Sequence, residues 1–288
     1  MECLADVRAV LGEGPCWDTR GGSLLWVDIN TPVVFQWSAR DGLQTHEVSE
    51  KICSIVPRAA GGYIGAGYNG LVTLSDDFAI KHVGHPEQHL AGNRFNDGKV
   101  DREGRFWAGT MDHAEHQSSG TLYRIDNNLS WKAIDTGYHV TNGPAFSIDG
   151  RTMYHTDSAA QRVYIFDLDI NGDATNRRTF LQFTPDMGYP DGMTVDAENC
   201  VWNLETCIRG ASERLPSVLM TALVTALGLL PLAAGSGQPG REIEGPMATI
   251  IVGGLVTSTI LNLLILPAIM LHFGRFEKQG NFEKQAML

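Results

Sequence analysis

The sequence has no Lys/Arg block, no CxxC pair and no apolar segment at its start, MECLADVRAV, and each lack removes a class of protein. Without clustered cations, a chain of net charge −11 cannot build the positive surface that nucleic-acid phosphates demand, so that partner is excluded. Five cysteines (Cys3, Cys16, Cys53, Cys200, Cys207) are an odd number at wide spacings. With no secretory signal before them, they imply unpaired thiols in a reducing compartment. Residues 1–208 also lack any helical period that competes with short β-branched and aromatic runs.

Charge is absent altogether from Leu215 to Gly240 and from Gly245 to Gly274. Residues 1–208 carry 16 Lys and Arg against 28 Asp and Glu, whereas residues 209–288 carry 6 against 5. Two apolar runs of about 20 residues match the thickness of a hydrocarbon core, so the expectation is a two-helix transmembrane hairpin at about 215–234 and 247–272. Arg209 and Arg214 before it, and Arg275, Lys278 and Lys284 after it, orient both ends to the cytoplasm. The expected domains are therefore 1–206, then the hairpin region 207–276, then a polar tail 277–288.

Within 1–206, runs such as SLLWVDI, GYIGAG, RFWAGTM, TLYRI and RVYIFDL are separated by DG, GG and NG turns, which reads as all-β. Similar segments begin at positions 13, 54, 96, 142 and 191, a period of 41 to 49 residues. That is the spacing of propeller blades, four strands to a repeat. A sixth segment is missing, so the expected fold is an incomplete six-bladed β-propeller of about four to five blades. A ring left open would need a partner chain to complete it.

Blades place equivalent positions around one axis. Four segment heads carry Glu13, Asn96, Asn142 and Asp191, each beside or near a glycine that permits a tight turn. Two carboxylates and carboxamide oxygens converging in one place form a site for a hard divalent cation such as Ca²⁺, Mg²⁺ or Mn²⁺. A cation with open positions would polarise a carbonyl while a carboxylate deprotonates water.

The segments LGEGPCWD, NRFNDGKVD, GRFWAGTMD, TNGPAFS and YPDGMTVD resemble, as an ordered set through residue 205, the senescence-marker-protein/gluconolactonase/luciferin-regenerating-enzyme family. The resemblance implies a six-bladed propeller with one axial divalent metal, Ca²⁺ foremost and Zn²⁺, Mn²⁺ or Mg²⁺ alternatives, that hydrolyses a sugar lactone. It further implies Glu13, Asn142 and Asp191 as metal ligands, Arg94 and Asn96 as substrate-binding groups, and Asp191 as general base. After the GTM segment, Asp112 and Glu115 both remain open as substrate contacts.

Residues 207–276 resemble the last two transmembrane helices of heavy-metal resistance-nodulation-division efflux pumps, which makes the chain a chimaera of two unrelated parts. Metal-dependent lactone hydrolysis by a membrane-anchored, cytoplasm-facing propeller is the leading expectation, with activity open to loss through the truncation. Calcium or sugar binding without turnover, and a membrane fragment of a cation pump, are the alternatives. GAGYNG (65–70) precedes a strand rather than a helix and so is a hairpin, and DLDING (167–172) lacks the twelfth-position Glu of a calcium loop. His113 and His116 read as solvated loop histidines, and His155 as a structural one.

Overall fold

Alternation of short apolar-aromatic runs with glycine-rich turns folds the chain into antiparallel four-stranded meanders. The computed structural model describes residues 5–203, positions 220, 224, 225, 227–231 and 234, and the stretch 244–260. The chain divides into two units, Met1–Thr206 and Cys207–Leu288. In the first, sheet one comprises β1 Gly12–Asp18, β2 Ser23–Asp28, β3 Val33–Ser38 and β4 Gly42–Glu47. Sheet two is β5 Ile52–Pro57, β6 Tyr63–Gly67, β7 Gly70–Leu74 and β8 Ile80–Gly84. Sheet three is β9 Asn93–Val100, β10 Phe106–Asp112, β11 Gly120–Ile125 and β12 Trp131–Tyr138. Sheet four is β13 Thr141–Phe146, β14 Thr152–Asp157, β15 Arg162–Leu168 and β16 Ala174–Gln182. A two-stranded sheet, β17 Met193–Val195 with β18 Val201–Asn203, follows.

The first strands of successive sheets pack side by side, which is the radial arrangement of a β-propeller. Between each consecutive pair of sheets lies one apolar cluster. Leu25, Val27, Ile55 and Leu74 fill the first interface, and Val56, Phe95, Phe106 and Ile125 the second. Trp107, Leu122, Met153 and Phe166 fill the third, and Tyr154, Val163 and Met193 the fourth. Neighbours in sequence alternate between clusters, Ile55 against Val56, Phe106 against Trp107, Met153 against Tyr154, because side chains along a strand point to opposite faces. Each fully buried side chain of this size contributes about 1.5–3 kcal/mol. Sheets covered on both faces therefore read as continuous apolar runs, as β10 and β11 do.

A repeated corner shows that β17–β18 begins a blade of the same kind. Asp101 accepts hydrogen bonds from the amides of Glu103 and Arg105 and from Trp107 Nε1 at 2.8 Å. Asp196 likewise accepts from the amides of Glu198 and Cys200 and from Trp202 Nε1. By contrast β1 is largely exposed where β5, β9 and β13 are buried, with Trp17 53% exposed.

The expected membrane hairpin is corrected. Among the described residues no helix is long and apolar enough to cross a membrane. The described helix α1, Glu244–Ile260, has 17 residues and opens on a carboxylate. At 1.5 Å per residue it rises about 26 Å, short of a core of about 30 Å. The membrane anchor, and the cytoplasm-facing localisation derived from it, lose their basis with the hairpin. Most of the first expected span, the remainder of the second and the tail 277–288 lie outside the described residues.

Candidate active site

In each of the four-stranded sheets an irregularity near the head of the first strand re-aims its polar residues, whereas β17 pairs with β18 without a break and Asp191 lies in the turn before it. Ladder pairing shifts between Glu13 and Cys16 in β1, between Ile52 and Ser54 in β5, opposite Phe95 to Gly98 in β9, and between Asn142 and Ala145 in β13. An extra residue of this kind bends a strand and re-aims a side chain. Glycine supplies the left-handed backbone at two of these points, Gly14 (φ 61°) and Gly143 (φ 78°). At Gly98 the reason is space: a Cβ there would lie 2.8 Å from both Ser54 Oγ and the Trp107 carbonyl.

The result is one cavity of about 430 Å³ lined by Glu13, Arg94, Asn96, Asn142 and Asp191, all five residues singled out from the sequence. Glu115, Ser158 and Tyr189 line it too. Arg94 Nη1 donates to Asn96 Oδ1 at 2.8 Å and to the Phe95 carbonyl at 2.9 Å, while its Nε donates to His113 Nδ1 at 3.1 Å. Asn96 Nδ2 donates to Asn142 Oδ1 at 3.0 Å and to the Thr141 carbonyl at 2.8 Å. Asn142 Nδ2 in turn donates to Ser158 Oγ at 2.8 Å, whose hydroxyl reaches the Pro190 carbonyl at 2.6 Å. These bonds fix the amide orientations, so Asn142 Oδ1, which has a second lone pair, faces the same space as Asn96. The Asp191 carbonyl accepts from Asn203 Nδ2 at 3.0 Å, which ties the turn bearing Asp191 to β18.

Electrostatics single out Glu13. Desolvation first, then the charges of Asp191 and Asp97, raise its pKa to about 7, against a smaller opposing hydrogen bond from the Gly14 amide. Asp97 is also held above the usual carboxylate range, chiefly by desolvation, although Lys99 and the amides of Gly98 and Gly143 pull the other way. Lys99 itself donates to the Met193 carbonyl. Mutually repelling, desolvated carboxylates beside an all-oxygen donor set are what a hard divalent cation would relieve, so the residues present fit such an ion. Among the described residues no group of three or more His, Cys, Asp or Glu side chains that could hold a metal ion gathers around one point; beside Glu13 and Asp191 the cavity is lined by the carboxamides of Asn96 and Asn142.

The two acids left open after the GTM segment have separate positions. Asp112 is committed to its own loop, accepting the amides of His116 at 2.9 Å and Gln117 at 3.1 Å, while Glu115 lines the cavity. His113 is no free loop histidine, since it receives the Arg94 Nε–H. Ser158 and Tyr189 were not marked by the sequence reading; Ser158 follows the strand TMYHTD, and its place one residue past a strand end facing the heads was the available signal. His155 is fully buried and lines no part of the cavity. Cys16, Cys53 and Cys200 are free thiols.

A β-propeller with carboxamides, a guanidinium and two acids around its axis is the architecture of a lactonase-like protein. Residues 11–211 match the family model for the SMP-30/Gluconolactonase/LRE-like region, and the chain belongs to that family. The regucalcin of Xenopus laevis is 34% identical over 210 residues, covering 70% of each chain. A 6-deoxy-6-sulfogluconolactonase of Pseudomonas putida is 32% identical over 208 residues, covering 71% of this chain and 72% of that one. The crystal structure of a calcium-binding regucalcin from Agrobacterium tumefaciens superposes with a TM-score of 0.66 at 25% identity over 69% of each chain. Residues 195–274 match a second model, that of the AcrB/AcrD/AcrF family. Family membership supports a lactonase-like function in general terms.

Proposed function

We propose that the chain hydrolyses an aldonolactone with the help of one divalent cation, Ca²⁺ foremost, in the cavity on the propeller axis. The observation that carries this reading is the convergence of Glu13, Arg94, Asn96, Asn142 and Asp191, from segments up to 178 positions apart, on one cavity. The Glu13 and Asp191 carboxylates and the Asn142 carboxamide oxygen would hold the cation, which when bound polarises the ester carbonyl. Arg94 binds the sugar oxygens through its Nη2 hydrogens, and Asn96, whose two amide hydrogens are spent on Thr141 and Asn142, accepts a sugar hydroxyl at the second lone pair of its Oδ1; the chain of bonds to Asn142 already holds both groups, so little freedom is lost on binding. The Asp191 carboxylate takes a proton from the attacking water, whose oxygen bonds to the carbonyl carbon. The ring C–O bond then breaks, and the departing oxygen takes up a proton to give the open hydroxy acid. Glu115, which lines the cavity, would accept a substrate hydroxyl.

The test is hydrolysis of glucono-1,5-lactone by the full chain, with Ca²⁺, Mn²⁺ or Zn²⁺ added in turn and with chelator. Asp191→Asn keeps the shape but removes the base, and the expected loss in kcat is about 10²–10⁴-fold. A rate indifferent to chelator, or to this substitution, overturns the reading.

A further inference from the structure

The guanidinium of Arg94 lines the cavity and is gripped on two edges, and the two grips differ in kind. Nη1 donates to oxygens, Asn96 Oδ1 at 2.8 Å and the Phe95 carbonyl at 2.9 Å, which accept at any pH the protein survives. Nε donates to His113 Nδ1 at 3.1 Å, an acceptor that a single proton abolishes. Arg94 is only 8% exposed, and among the described residues no carboxylate lies within ion-pair distance of it. The imidazole is thus what holds the Nε edge, and Nη2 donates to none of the described residues.

Backbone pairing brings His113 to that edge. Across β9 and β10 Met111 pairs with Arg94 and Asp112 with Asn93, and the next amide, that of His113, donates to the Gly92 carbonyl at 2.9 Å. Charged and titratable groups about the imidazole come from three places. Arg94 is on β9; Tyr68, on the β6–β7 turn, stands edge-on at 5.4 Å with Lys51 Nζ 5.1 Å from its ring centroid; Asp112, Glu115 and His116 share the loop. Asp112 is spent on the amides of Ala114, His116 and Gln117, and no carboxylate among the described residues ion-pairs with His113. A proton on Nδ1 would therefore set N–H against N–H and cation against cation, with nothing to offset it. Resting on the lactonase reading above, we infer that His113 is a positioning residue for Arg94: with Nδ1 bare it completes the grip that leaves Nη2 for the sugar, and with Nδ1 protonated it releases that edge, so that sugar binding weakens in acid. The substrate arginine then carries its own pH sensor, one residue beyond the strand that pairs with it.

Three forms of the full chain test this: the parent, His113→Asn, whose Oδ1 accepts the Nε–H but takes up no proton, and His113→Phe, which keeps a ring beside Tyr68 without an acceptor. Imidazole is the side chain that changes charge between about pH 5 and about pH 8, so gluconate binding is measured by calorimetry near both limits with Ca²⁺ in excess. Steady-state hydrolysis of glucono-1,5-lactone is followed beside it. Near pH 8 His113→Phe should bind gluconate about fivefold more weakly than the parent, and His113→Asn should restore the parent affinity. Near pH 5 the parent should fall about fivefold below His113→Asn, since every other titrating group is common to the two. In hydrolysis the same differences should appear in KM with kcat little changed. Equal pH dependence of gluconate binding in the parent and His113→Asn, or parent-like affinity of His113→Phe near pH 8, overturns the inference, while continued hydrolysis leaves the lactonase reading intact. Absence of gluconate binding by the parent overturns it as well. Should the lactone not be hydrolysed, that reading falls, and gluconate binding by the three forms decides the inference by itself.

Discussion

Replacing His155 by leucine should make the propeller more resistant to acid. His155 lies in β14, wholly buried, with the Tyr138 ring edge-on at 4.7 Å and neither ring nitrogen hydrogen-bonded. Burial first, and then the charge of Arg177, bring its pKa down from 6.5 to about 3. The folded protein thus keeps the imidazole neutral to about pH 3, whereas the unfolded chain takes up a proton below 6.5. Between those limits the unfolded state binds more protons, so stability falls as pH falls, at about 1.4 kcal/mol per pH unit. From pH 7 to pH 5 the integrated loss from this one group is about 2 kcal/mol. His155→Leu removes the titration, and it also removes two unpaired nitrogens while giving up an aromatic contact. Those last two changes are independent of pH and cancel in the comparison. Urea unfolding of parent and variant at pH 7 and pH 5 should show the advantage of leucine about 2 kcal/mol larger at pH 5. An advantage that is equal at the two pH values, or smaller at pH 5, refutes the reasoning, because other titrating groups are common to both proteins.

Further outcomes follow from single contacts. Ser158→Ala removes the hydroxyl between Asn142 Nδ2 and the Pro190 carbonyl, and calcium affinity measured by calorimetry should weaken about 10-fold or more with little change in unfolding midpoint. Gly98→Ala puts a methyl group 2.8 Å from Ser54 Oγ and the Trp107 carbonyl, so thermal denaturation should reveal a loss of about 1–3 kcal/mol. Burial pushes the Cys53 thiol up to about 12; in the native protein a thiol-specific disulfide reagent at pH 8 should leave Cys53 unmodified by peptide mapping until denaturant is added.

The blade period was legible in the sequence because turns and aromatic strands recur in phase, and the structure places a first strand at each head from β1 to β17. Five polar residues were legible for the same reason: equal phase in the repeat means equal position around the axis. What periodicity could not carry was the bulges. Glycine beside each head was read as the device that turns the side chains inward, but left-handed backbone occurs at Gly14 and Gly143, whereas Gly98 is there for the close approach of β5 and β9. Register in the loop after β10 was equally hidden, since MDHAEH gives no alternation. Only the capping of its amides by Asp112 shows that Glu115 is the acid on the cavity. The misreading of the C-terminal region has a different origin. Counting uncharged residues measures hydropathy and presumes helix continuity, and among the described residues no helix has both the length and the apolarity to cross a membrane.

The bulged heads of β1, β9 and β13 separate two kinds of information that share a strand. Below the bulge, inside–outside alternation is dictated by the clusters between sheets, and any exchange of face there disrupts folding. At the bulge the ladder is interrupted: Gly14 and Pro15, Asn96 and Asp97, and Gly143 and Pro144 stand unpaired, with Glu13 and Asn142 the paired residues that border the break. A lineage built on this body can therefore rewrite its reaction one blade at a time, altering Glu13, Asn96 or Asn142 at or beside the break while the clusters below it keep the strand in register.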